Sequence, residues 1–175
     1  MKYKNKIFFI NSKSDIFGKL ITLYNILKFG KSDATHVGIV AKEEKDRVLI
    51  FEAVPSGFVS SWYDKSWLEG AIELGTVKFK ETKRLLHDVN ENCKKYEGTK
   101  YGYINLAIHA INLFLLTIFK FSIKYSDGLV AGHCSEMVSR VLYDSSDKHI
   151  DFSKEYEKEF DLVSPQEIYM SSFMK

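Results

Sequence analysis

The chain has 175 residues, of which 45% are hydrophobic and only two are proline, a composition that fits one globular domain and leaves little room for linkers or disordered tails. Twenty-five basic residues are set against 23 acidic ones, spread along the chain for a net charge of +2, so no basic stripe marks a nucleic-acid surface. The opening MKYKNKIFFINSKSD carries lysines before a short apolar run, but that run is too short for a signal-peptide core, and a cytoplasmic protein is the expectation.

Lys6 to Ile10 reads as a buried strand, and Ser12 or Ser14 can cap the segment that follows. Apolar residues from Ile16 to Phe29 recur at near-helical spacing, with Gly30 at the stop position. THVGIVA and RVLIFEA then form a hairpin around the charged loop KEEKD, ended by Pro55, Ser56 and Gly57. Trp62 to Leu68 suggests a short helix and Leu74 to Phe79 a strand. Thr82 stands as the cap of a helix carrying Leu85, Leu86, Val89, Cys93 and Tyr96 on one face, with Gly98 past its end. Ile104 to Phe119 reads as an apolar helix, Cys134 to Tyr143 as another, and Ser164 with Pro165 opens a last short one.

Two features carry chemistry. If Ala41 and Arg47 close the hairpin, His36 falls opposite Glu52 on one face, near enough for a carboxylate to hold an imidazole N–H. Gly38, two places along, would leave bare backbone where a third group could approach. Cys134, one of only two cysteines, stands in the first turn of its helix, where unpaired N–H groups and the helix dipole favour thiolate. These residues alone leave both readings open: a nucleophile, base and orienter set, or a buried cysteine and two ordinary strand residues.

The remaining candidates read more plainly. His133 is expected to face solvent, and Cys93 belongs to an apolar helix face, so His133, Cys134 and Cys93 make no familiar metal-ligand spacing. No metal or other cofactor is expected. Tyr101, Tyr103, Trp62 and Trp67 could line a cleft or fill the core. Asp144, Asp147, Asp151 and the run Glu155 to Asp161 read as a solvated surface. Tyr101 to Phe119 carries no formal charge, yet Asn105, His109 and Asn112 argue for a buried or cleft-covering helix, with membrane contact as the alternative.

Taken in order, THVGIV with His36, IFEAVPSGFV with Glu52, YEGTKYGY, GHCSEMVSRVLY with Cys134 and LVSPQEIY resemble the permuted papain-like amidases, the YaeF/YiiX-like branch of the NlpC-type cysteine hydrolases. The resemblance runs over most of the chain. It implies an α+β, circularly permuted papain-like (NlpC-type) fold spanning 1–175, with an antiparallel sheet carrying His36 and Glu52 against helices that include the Cys134 helix. It also implies a cysteine nucleophile at Cys134, a base at His36, a third polar residue at Glu52 and a substrate contact at Tyr101. The implied activity is hydrolysis of an amide in a small peptide or amino-acid conjugate, a cell-wall peptide among the candidates, through a thioester. The chain departs from the family where Gly102 follows Tyr101 in place of an aspartate, and in lacking a Gly-Asp near the first strand. Two alternatives stand beside it: a lipid acyltransferase or thioesterase acting on an acyl substrate at a membrane, and a binding module that kept the scaffold without the chemistry. Lecithin:retinol acyltransferase relatives favour Asn-Cys-Glu-His-Phe, whereas residues 133 to 137 read His-Cys-Ser-Glu-Met.

Overall fold

The computed structural model describes residues 1–11, 16–104, 107–108, 111–112, 115 and 130–175. Its centre is an antiparallel five-stranded sheet. In chain order the strands are β1 (Ile7–Ile10), β2 (His36–Glu43), β3 (Arg47–Val54), β4 (Gly57–Asp64) and β5 (Val77–Lys80), and in space they run β4-β3-β2-β1-β5. Helix α1 (Ile16–Phe29) links β1 to β2, and α2 (Lys65–Glu73) links β4 to β5. Then come α3 (Val89–Tyr96), a two-stranded parallel pair β6 (Lys100–Tyr101) and β7 (Ala131–Gly132), and α4 (Cys134–Ser145). Short helices α5 (Phe152–Glu155) and α6 (Pro165–Met170) follow, with a 3-10 turn at Phe160–Leu162 between them. The fold class is α+β, as the sequence implies.

Strand alternation divides the apolar residues between two cores. Ile7, Phe9, Val37, Ile39, Phe51 and Ala53 point to one side, where Cys93 of α3 and Met137, Val138, Val141 and Leu142 of α4 meet them. Phe8, Val40, Val48, Ile50 and Val77 point to the other, under Leu68 of α2. Burying each of these larger side chains contributes about 1.5–3 kcal/mol, which is what presses α4 onto the sheet and fixes its first residue.

The hairpin differs from the expected register. Gly38, not His36, lies opposite Glu52, and the pairing slips between Val40 and Lys42, so that Ala41 forms a bulge. Glu44 N–H bonds the Arg47 carbonyl at 2.9 Å, and the turn is shorter than KEEKD. The offset at Glu52 is two residues, an even number, so His36 and Glu52 still share a face as diagonal neighbours.

Two other expectations change. Residues 57 to 64 form strand β4, so Trp62 lies in a strand and the helix begins only at Lys65. Thr82 bridges Met174 in place of capping a helix; α3 starts at Val89 after Asp88, and Leu85 is exposed. Ser164 and Pro165 do open α6, through a reciprocal capping box with Glu167. Gly57, at φ +120°, is needed because a side chain there would meet the Thr99 carbonyl at 2.6 Å. Phe58 N–H donates to that carbonyl and the Phe58 carbonyl accepts from Gly98, each at 2.8 Å, which anchors the chain entering β6.

Candidate functional site

His36 opens β2, and its Nε2–H donates to Glu52 Oε2 at 2.7 Å. The other carboxylate oxygen, Oε1, accepts from the Tyr63 hydroxyl, also at 2.7 Å. Tyr63 stands on the same face of β4 as Glu52 does on β3, so the sheet itself builds the chain Tyr63, Glu52, His36. With Nε2 committed to the carboxylate, Nδ1 is the ring atom left to act. The imidazole retains some exposure while Glu52 is nearly covered. Burial resists the charge on Glu52, but the imidazole and the tyrosine hydroxyl outweigh it and hold the carboxyl below its usual range.

The space over Gly38 is not open to a third group. A side chain there would strike the Phe8 ring at 2.2 Å and the Phe51 carbonyl at 2.8 Å, so Gly38 exists to admit Phe8. That ring lies 6.1 Å from the His36 ring, centroid to centroid, and walls one side of the imidazole.

Cys134 arrives as the first residue of α4. Behind it Met137, Val138, Val141 and Leu142 are wholly buried, so packing sets its position. The sulfur lies close enough to the His36 and His133 rings for each to bear on its charge. Burial disfavours charge on any one of these groups alone. Attraction to the His36 and His133 rings prevails, lowering the thiol below an ordinary cysteine, while the sulfur and Glu52 together raise the His36 imidazole well above an ordinary histidine. The arrangement therefore favours a thiolate facing an imidazolium. As the first helical residue, Cys134 also has a backbone N–H with no acceptor one turn back within its own helix.

His133 does not face solvent: it is buried and caps α4. Its Nε2–H donates to the Asp161 carbonyl at 2.8 Å, and Nδ1 accepts the Glu136 N–H at 3.4 Å. The Ser135 hydroxyl donates to the Val163 carbonyl at 2.7 Å. Arg140 pairs with Glu136 at 2.9 Å and with Asp161 at 3.2 Å. Asp161, read from sequence as solvated surface, is thus a buried clamp on the start of α4. Burial pushes the Glu136 carboxyl up to about 7, with Asp161 adding repulsion that Arg140 and His133 offset in part.

The other candidates fall around this centre. Tyr101 of β6 pairs with Gly132 of β7, two residues before Cys134, and its ring is 4.9 Å from that of Tyr103. The Tyr101 side chain is partly buried against the core that holds Cys134. Trp62 and Trp67 are exposed and lie on or beside β4 and α2. Cys93 is fully buried, and burial pushes its thiol far up. Among the described residues no three His, Cys, Asp or Glu side chains converge as metal ligands. The expected helix from Ile104 to Phe119 falls largely outside the described residues, among which no helix is long and apolar enough to cross a membrane.

Tyr63 and the buried role of His133 were missed by sequence reasoning. For Tyr63 a signal existed: Pro55-Ser56-Gly57 between two β-rich runs marks a second hairpin, which would have placed a tyrosine beside Glu52.

No protein-family model and no curated protein matches the chain. Among solved structures it is similar to the crystal structure of the metalloprotein YiiX from Escherichia coli O157:H7, DUF1105. The TM-score is 0.61 and the identity 19%, over 99% of this chain and 94% of that one. The similarity is one of fold.

Proposed function

We propose that the chain is a single-domain, cysteine-dependent amidase or peptidase of the permuted papain-like kind, in which Cys134 is the nucleophile, His36 the acid and base, and Glu52 the residue that orients the imidazole. The observation that carries this reading is the His36–Glu52 bond of 2.7 Å, with Cys134 close enough to the same imidazole for their charges to attract. The fold likeness to YiiX, with the histidine strand before the cysteine helix, supports placing it in the YaeF/YiiX-like branch.

The Cys134 thiolate attacks the amide carbonyl, its sulfur forming a bond to carbon while the carbonyl electron pair moves to oxygen. The backbone N–H of Cys134 donates to that oxyanion, a contact whose loss typically costs about 3 kcal/mol of barrier. As the oxyanion collapses, the carbon–nitrogen bond breaks and His36 Nδ1–H gives its proton to the leaving amine. Water then attacks the thioester, His36 taking its proton, and the acid departs as the thiolate re-forms. Glu52 keeps Nε2 protonated and stabilises imidazolium throughout, and Tyr63 holds Glu52 in place. Tyr101, in the strand that pairs with the segment leading to Cys134, is assigned the substrate contact.

YiiX is described as a metalloprotein. In this chain the described donors do not converge as a three-ligand set, and His36 has already given Nε2 to Glu52. A panel of short peptides and amino-acid amides tests the reading: turnover by the wild type that vanishes in Cys134→Ala and in His36→Ala supports it, and turnover surviving in both rejects it.

A further inference from the structure

We propose that His133 stands beside Cys134 as an imidazolium, a second cation that keeps the sulfur ionised, an inference that rests on the reading of Cys134 as the nucleophile. Serine, threonine, aspartate and asparagine are the favoured helix caps. His133 takes that position at the start of α4, yet the N–H its Nδ1 receives, from Glu136, is distant at 3.4 Å. Capping alone therefore does not account for an imidazole here. The ring is buried, so each of its nitrogens needs a partner within the protein.

Those partners suit a charged ring. Nε2–H is given to the Asp161 carbonyl at 2.8 Å. Nδ1 lies 3.0 Å from Ser135 Oγ, closer than the Glu136 nitrogen. The Ser135 hydroxyl gives its one hydrogen to the Val163 carbonyl at 2.7 Å, so toward Nδ1 its oxygen offers only lone pairs. A proton on Nδ1 exchanges the long bond from Glu136 for a shorter one to Ser135. Both ring hydrogens are then held by protein oxygens, one at Ser135 and one at Asp161.

The surrounding charges agree. From α4 they are the Cys134 sulfur, Glu136 and Arg140; from the turn at Phe160–Leu162, Asp161; and from β2, across the sulfur, His36. Arg140 serves both carboxyl groups of this set, at 2.9 and 3.2 Å. Burial opposes charge on the His133 ring, but the sulfur, Glu136 and the Asp161 carbonyl outweigh it and move the imidazole above an ordinary histidine. The helix dipole disfavours a cation at this end by less than about one pH unit, whereas a neighbouring opposite charge acts by about 1–3. The placement matters for the chemistry. His36 gives up its proton to the leaving amine, while His133 keeps its own, so a cation stays beside the sulfur through the step in which the His36 ring is neutral.

NMR of the wild-type protein reads the charge, with the His133 signal assigned by its loss in His133→Asn. The His133 Cε1–H shift is expected to show imidazolium at neutral pH, titrating above the ordinary value of about 6.5, and to titrate lower in Ser135→Ala. Iodoacetamide rates against pH read the effect on the sulfur. His133→Asn, which keeps a capping side chain, is expected to move the Cys134 midpoint up by about one pH unit or more while melting close to wild type. His36→Ala alone is expected to leave that midpoint below the ordinary thiol range of about 8.5, and His133→Asn added to it to carry the midpoint there. A His133 ring already neutral at about pH 6, or a Cys134 midpoint unmoved by His133→Asn, overturns the proposal. So does a His36→Ala variant whose thiol is by itself ordinary. An ordinary thiol in the wild type fails the nucleophile reading as well, whereas a neutral His133 beside a reactive Cys134 removes this proposal alone.

Discussion

Replacing Glu52 by glutamine removes one negative charge and keeps shape and an acceptor. The bond from His36 Nε2 is 2.7 Å long and the carboxylate is nearly covered, so solvent screens little of the loss. A hydrogen bond to a charged group contributes about 1.5–3 kcal/mol against about 1 for a neutral one, so the imidazolium loses on the order of 1.4 kcal/mol, about one pH unit. The sign follows from which form is stabilised: Glu52 favours protonated His36, so His36 in Glu52→Gln releases its proton at lower pH. The thiolate limb, set by the Cys134–His36 attraction, moves less. Two measurements check this: the His36 Cε1–H shift across pH by NMR, and the alkaline limb of acylation. Both are expected to move down by about one unit, with turnover reduced about tenfold at the pH of the wild-type optimum. An alkaline limb that coincides with wild type, or moves up, would refute the role given to Glu52.

Tyr63→Phe deletes a single bond to the same charged carboxylate, worth about 1.5–3 kcal/mol, so a loss of turnover of about tenfold or more with an unchanged KM is expected in steady-state kinetics. Gly38→Ala drives a methyl group against Phe8 and the Phe51 carbonyl; overpacking of this kind costs about 1–3 kcal/mol and is expected to lower the melting temperature by several degrees. Glu136 holds its proton up to about 7, above the ordinary 4.5. Its contribution to stability is therefore fully present below the unfolded value and is lost as pH rises through the folded one, so thermal melts of Glu136→Gln should decline less than wild type across that window.

Much of this site could be read from the residues because the signals were local. Cys134 at the start of α4 follows from the apolar spacing of Met137, Val138, Val141 and Leu142 behind it, which the structure buries as expected. His36 and Glu52 share a face because strand period is two, and the actual register differs from the expected one by an even step. The bulge at Ala41 that produces the step has no marker in the sequence, since neither glycine nor proline stands there. Strand β4 was hidden by its edge position: it is buried at Gly57 and Phe58 and then runs out toward solvent, which erased the apolar alternation and with it Tyr63. His133 and Asp161 show the other kind of failure. Their burial depends on the turn at Phe160–Leu162 reaching back to cap a helix far away in the chain, and acidic composition alone gives no hint that Arg140 waits for it.

The proposal of a thiolate paired with imidazolium is tested most directly by the pH dependence of Cys134 alkylation with iodoacetamide, read by intact mass alongside Cys134→Ala, Cys93→Ala and His36→Ala. Modification of Cys134 alone, already fast below neutrality and slowed when His36 is replaced, is the expected result. A rate that climbs only toward the ordinary thiol range near about 8.5, or that is indifferent to His36, would contradict it.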